Sequence, residues 1–175
     1  MNTSQEYNTV IAECRALFEK KTKDYGSSWR ILRAPSMTDQ IFIKAKRIRS
    51  IQMSGVQKVN DDIRDDFVGI INYSIMALAQ LELGDTDTPD LSGQRALELY
   101  DKYAKTAHDL MMDKNHDYDE AWRDFRPCTF VDLILQKILR IKGIEDNHGE
   151  TLVSEGIDAN YYDMINYAVF ALIKI

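Results

Sequence analysis

Residue after residue of this 175-residue chain returns 93 positions later. Of the 31 positions from 21 to 51, twelve recur unchanged: Lys21 as Lys114, Asp24 as Asp117, Tyr25 as Tyr118, Trp29 as Trp122, Arg30 as Arg123, Arg33 as Arg126, Asp39 as Asp132, Ile41 as Ile134, Lys44 as Lys137, Arg47 as Arg140, Ile48 as Ile141 and Ile51 as Ile144. After one inserted residue the offset becomes 94, and Ile71-Asn72-Tyr73 falls on Ile165-Asn166-Tyr167. A period this long exceeds that of solenoid repeats and fits two helical units related by a pseudo-twofold axis.

Within each copy the apolar residues recur at helical spacing, and no alternating strand pattern is present. The spacing predicts a first helix opened by Ser4 and ending near Gly26, then an irregular connection over 26–35. Ser36 with Asp39 reads as an N-terminal cap for a second helix running to about Met53. A third is expected over 58–83, stopped by Gly84. The stretch 84–92, GDTDTPDLS, is the one linker-like segment. Ser92 opens a fourth helix to about Asn115. Thr129 with Asp132 mirrors the Ser36 cap and opens a fifth to about Ile144, and the last helix covers 155–172. The fold class expected is all-α: one domain over 1–175, a bundle of two three-helix units at about 4–84 and 92–175. From residue 161 onward the last helix is apolar on every side, as a helix enclosed by others must be.

The net charge of −6 disfavours stable binding to nucleic acid phosphates. No apolar run of about 18 residues suits a bilayer, so no membrane partner is expected. Cys14 and Cys128 make neither a disulfide framework nor a metal-ligand spacing, and MNTSQEYNTV has no export pattern; a cytoplasmic location is expected.

Three sets of residues carry chemistry. Aligned on their shared asparagines, Asp61, Asp65 and Gly69 precede Asn72 as Glu155, Ala159 and Asp163 precede Asn166. On a continuous helix these positions share one stripe. Stacked carboxylates suit a hard cation such as Mg²⁺, which takes one or two of them and completes its shell with water and phosphate oxygens. A solvated helix N-terminus explains Asp61 and Asp65 equally well. Asp163, inside an apolar helix, needs either a metal or a buried ion pair. The second set is basic, Lys44 with Arg47 and Lys137 with Arg140, each on a mostly apolar helix. Those cations either take phosphate or neutralise Glu155 and Asp163. The third is K-x-x-D-Y-x-x-x-W-R, at 21–30 and 114–123. Trp29 and Trp122 offer stacking faces, with Tyr25 or Tyr118 alongside and Arg30 or Arg123 near phosphate; the alternative is that the aromatics close the ends of the bundle.

The string K-x-x-D-Y-G-x-x-W, followed by K-x-x-R-I and by acids ahead of I-N-Y, resembles the nucleotide modification associated domain, type 1, once per unit. That resemblance implies a role close to deoxynucleotide metabolism or modification. More distantly, the acidic helix is similar to that of the all-α nucleoside triphosphate pyrophosphatases, the MazG and dimeric dUTPase group, which implies a Mg²⁺-dependent bundle releasing pyrophosphate. Where that group carries Glu-x-x-Glu, this chain has Lys44-x-x-Arg47 and Lys137-x-x-Arg140.

Together these features lead us to expect a nucleotide-binding protein with Mg²⁺ (Mn²⁺ as substitute) as cofactor, and pyrophosphohydrolysis as its catalytic extension. Asp61, Asp65, Glu155 and Asp163 are the candidate metal and catalytic acids. Asn72 and Asn166 are the candidate orienting amides. Lys44, Arg47, Lys137 and Arg140 would take phosphate, and Tyr25, Trp29, Arg30, Tyr118, Trp122 and Arg123 would contact base and phosphate. The expected partner is a small-molecule nucleotide; a homodimer is the assembly open to it. The competing expectation is a non-catalytic helical scaffold whose acids and bases pair internally.

Overall fold

A computed structural model, describing residues 2–153 and 155–175, has six helices: α1 (Thr3–Tyr25), α2 (Ala34–Ser54), α3 (Ile63–Leu83), α4 (Gly93–Tyr118), α5 (Pro127–Asp146) and α6 (Ile157–Lys174). Single 3-10 turns, Ser28–Ile31 and Ala121–Asp124, follow α1 and α4. No strand occurs among the described residues, so the all-α class holds.

Several helix starts differ from those expected, each for a local reason. Asn2, not Ser4, caps α1: its side chain accepts from the Gln5 N–H at 2.9 Å, and the Gln5 side chain accepts from the Asn2 N–H. The Ser4 hydroxyl instead meets His108 Nε2 at 2.9 Å. Ser36 and Thr129 are not the cap residues, since both lie inside helices that begin earlier, at Ala34 and Pro127, with Arg33 and Arg126 in the cap positions. Proline in the first turn supplies those starts, because its fixed φ suits the helix and its missing N–H is not needed there. Helix α3 begins at Ile63 rather than near Lys58, with Asp62 accepting from the Arg64 N–H. Asp61 and Glu155 therefore lie just before their helices, outside the stripe that a continuous helix would have given them.

Helices α2, α3, α6 and α5 pack in that order into a closed ring of four, and α1 and α4 lie together against α3 and α6. This explains why α3 and α6 are apolar nearly all round: each is enclosed by neighbours on several sides. The core runs from Tyr7, Cys14 and Phe18 of α1 through Ile41, Ile48, Ile71, Ile134 and Ile138 to Tyr161 and Ile165.

The two units bind each other reciprocally. Asn72 donates to the Cys14 carbonyl at 3.1 Å and accepts from the Tyr100 hydroxyl at 2.8 Å. Asn166 donates to the Ala107 carbonyl at 3.2 Å and accepts from the Tyr7 hydroxyl at 2.6 Å. Tyr7 and Cys14 stand at the repeat offset from Tyr100 and Ala107. Each asparagine thus joins its own unit's first helix to a tyrosine of the other unit. The turns after α1 and α4 are fixed in parallel fashion. Gln80 donates to the carbonyls of Arg30 (2.9 Å) and Leu32, and Lys174 donates to those of Arg123 (2.5 Å) and Phe125 (2.7 Å).

Candidate functional site

The C-terminal half of α1, the turn after it, Lys44 of α2 and the start of α3 enclose a cavity of about 710 Å³. Tyr25, Trp29, Lys44, Asp61, Asp65 and Asn72 all line it, joined by Lys21, Asp66, Gly69, Tyr73 and Met76. These residues meet because α1 ends beside the N-terminus of α3. Gly26, at φ +61°, then turns the chain so that Trp29 comes back against Phe18, ring centroids 6.4 Å apart. Asp119 takes Gly26's place in the second unit and also adopts positive φ, 51°.

Charge is distributed unevenly in and around the cavity, and Arg47 stands outside its lining. Arg47 is committed: its guanidinium donates to the Asp66 carboxylate and to the Asp61 carbonyl at 2.6 Å. Burial lifts the Asp66 carboxyl above its ordinary range, partly offset by Arg47. Among the described residues, neither Lys21 nor Lys44 has a carboxylate within ion-pair distance. Lys44 instead lies across Gly69 with its Nζ 5.7 Å from the centre of the Tyr73 ring.

The same positions of the second unit are arranged differently. Lys114 and Lys137 share one carboxylate, Asp163, at 2.7 and 2.9 Å, one ammonium on each oxygen. Asp163 is the counterpart of Gly69. Trp122 is sandwiched between Phe170, stacked at 4.1 Å, and the Arg123 guanidinium at 4.5 Å, and its indole N–H donates to Asn115 at 3.2 Å. In the first unit Phe170 becomes Met76 and Asn115 becomes Thr22, whose hydroxyl turns to the Phe18 carbonyl. The Trp29 indole nitrogen is accordingly buried with no hydrogen-bond partner among the described residues.

The remaining candidates fall elsewhere. Lys137, Arg140 and Glu155 border a second hollow of about 600 Å³ on the far unit. Arg30 is buried, its guanidinium donating to Gln80, to the Gly84 carbonyl at 2.9 Å and to Asp90 at 3.0 Å, which fastens the linker to the turn. Arg123 reaches Thr3 at 2.8 Å and Glu6 at 2.6 Å and holds the start of α1. Tyr118 is 71% exposed. The four acids do not share a centre: Asp61 and Asp65 open onto the first cavity, Glu155 onto the second, and Asp163 onto two lysines. Among the described residues, no three His, Cys, Asp or Glu side chains form a group able to hold a metal ion. Lys21, Gly69 and Met76 lie outside the candidate set that the sequence motifs define. The signal that finds them is the difference between the copies, since the cavity lies where Gly69 and Met76 replace Asp163 and Phe170.

No helix among the described residues is long and apolar enough to cross a membrane. No curated protein and no solved structure matches the chain. A family model described as nucleotide modification associated domain 1 matches residues 21–81 and again 114–175, the two segments that carry the repeated strings and together well over half of the sequence. The chain therefore belongs to the nucleotide modification associated domain 1 family, and carries that domain's pattern twice.

Proposed function

We propose that the first unit binds a nucleotide in the cavity between α1, α2 and α3, and that the second unit is its internally neutralised counterpart. The observation that carries this reading is the fate of the repeated lysines. Lys114 and Lys137 are held by Asp163, whereas Lys21 and Lys44 line an open cavity and, among the described residues, make no ion pair, Lys44 acting on the Asp66 carboxylate only from beyond that distance. Cations in such a place stabilise an incoming anion, and lysine suits phosphate as a compact point charge. Trp29 and the 70% exposed Tyr25 supply flat apolar surface for a base, and the Trp29 N–H is a donor without an acceptor among the described residues. Asp61 and Asp65 are two carboxylates at the start of α3. They fit a Mg²⁺ or Mn²⁺ that arrives with phosphate and keeps water on its other positions. Such a cation would offset charge on the phosphates; the residues here hold and orient that ligand.

The test is calorimetry and thermal shift with nucleoside mono-, di- and triphosphates, each with and without Mg²⁺. A nucleotide at about a hundred times its Kd should stabilise the fold by about 2.7 kcal/mol. Lys44→Met should abolish that shift while circular dichroism stays unchanged. If no nucleotide shifts the melting curve in either condition, the internally paired scaffold is the better reading.

A further inference from the structure

Asp163 shows what the repeated lysines are built to hold. Its carboxylate sits between Lys114 and Lys137 with one oxygen on each ammonium. In the first unit the residue at that place is Gly69, and the lysine stem has moved in. A β-carbon built on Gly69 would come within 2.6 Å of Lys44 Cδ and Cε and 3.2 Å of its Nζ. The Lys44 ammonium therefore rests against bare α3 backbone, on ground that Asp163 holds in the other copy, and faces the cavity it shares with Lys21. Arg47 does not compete for a ligand there, because Asp66 and the Asp61 carbonyl occupy it.

We infer that the place beside Gly69, between Lys21 and Lys44, is a subsite for a single phosphoryl group, so that the ligand taken without metal is a phosphate monoester, a nucleoside 5′-monophosphate. This rests on the nucleotide reading of the cavity. A phosphomonoester carries between one and two negative charges near neutral pH and three acceptor oxygens, a closer match to two ammonium groups than one carboxylate. Phosphates beyond the first meet a different environment. Asp61 and Asp65 line the same cavity with no cation paired to either carboxylate among the described residues. Like charges at close range repel, so a di- or triphosphate needs a divalent cation between its outer phosphates and these acids, and the monophosphate does not. Gly69 is then the residue that sets this selectivity. An aspartate there would reproduce the second unit and occupy both lysines with an intramolecular anion.

The experiment is isothermal titration, first in EDTA, of the full chain with inorganic phosphate, ribose 5-phosphate, an unphosphorylated nucleoside, its 5′-monophosphate and its 5′-triphosphate. The triphosphate is then repeated with Mg²⁺. The monophosphate should bind without metal, about tenfold or more tighter than the nucleoside, the scale of one charge-assisted hydrogen bond. The triphosphate should bind measurably only with Mg²⁺. G69D should erase the preference for monophosphate over nucleoside with the melting temperature kept or raised, and K44M should do the same should G69D fail to fold. Equal affinity for nucleoside and monophosphate, a monophosphate that binds only with metal, or a preference untouched by both variants overturns the subsite. If ribose 5-phosphate binds as tightly as the nucleotide and both variants abolish it, the subsite stands and the nucleotide reading falls. If no probe binds in either condition, both fall.

Discussion

Asn72 and Asn166 look alike in the sequence, and each spends its amide in the same way. The carbonyl end accepts from a tyrosine of the opposite unit and the amino end donates to a helix carbonyl of its own. Burial pushes the Tyr7 and Tyr100 hydroxyls far above their ordinary range, so both stay protonated and act as donors at any physiological pH. Burial likewise lifts the Cys14 thiol to about 12, keeping it neutral and unreactive beside this bond. Tyr100→Phe removes one donor and leaves the Asn72 carbonyl oxygen buried without a replacement. Its expected cost is about 1–3 kcal/mol, the desolvation of one buried acceptor. Tyr7→Phe should cost a similar amount, because Asn166 loses the same kind of partner. Urea denaturation of the two variants measures both; a loss below the error of that measurement in either would mean that the pair of bonds is incidental to how the units hold together.

At the scale of the helix, the periodicity of apolar residues was a reliable guide to which segments are helical, and the capping residues were a poor guide to where they start. Ser36 and Thr129 have the right type and spacing, but proline just upstream had already begun the helix, a choice that depends on backbone geometry rather than on the Ser-x-x-Asp pattern. Asp62 and Ser92 do cap, with side chains accepting from the N–H groups of Arg64 and Arg95. Asp62→Ala and Ser92→Ala should therefore each cost about 1 kcal/mol, whereas Ser36→Ala should stay within about 0.5 kcal/mol; chemical denaturation separates the two classes. The contact of α2 with α5 and α6 also carries a pH signature. Burial is the main cause that holds the Glu145 carboxyl above its usual range, with a hydrogen bond from the Thr38 hydroxyl at 3.4 Å opposing it and Asp146 and Asp39 adding to it. A raised pKa means that the folded protein keeps the proton where the unfolded chain has released it. This group therefore costs stability at neutral pH, and the cost disappears as pH falls through the raised folded value toward the ordinary carboxylate range. Glu145→Gln should be more stable than the parent at neutral pH, with the difference shrinking over that window. A difference that instead widens as pH falls would reverse the assignment.

Across the whole molecule, the duplication was legible because twelve identities at one offset are hard to produce otherwise, and so was the exchange of Asp163 for Gly69. What the sequence could not supply was distance: which lysine reaches which acid depends on how α2, α4 and α5 pack around α3 and α6. Lys137 and Asp163 are 12% and 14% exposed, so their pair is largely withdrawn from water, while Lys114 completes it from the more open side at 54%. Removing one member of such a set strands the other, and the stranded charge costs more than the pair was worth. Asp163→Ala should consequently lower stability by about 1–3 kcal/mol, the penalty of a partly buried charge left without its partner. Adding Lys137→Met to that variant should restore most of the loss, because methionine keeps the apolar stem in place and takes away the stranded ammonium. Nucleotide affinity should stay the same in both variants, since the proposed ligand site uses Lys21, Lys44 and the open cavity of the other unit. Stability by urea denaturation and Kd by titration, measured on the same preparations, test the two halves of this division separately. A loss of nucleotide binding in Asp163→Ala with stability unchanged would place the ligand in the second unit and reverse the roles of the two copies.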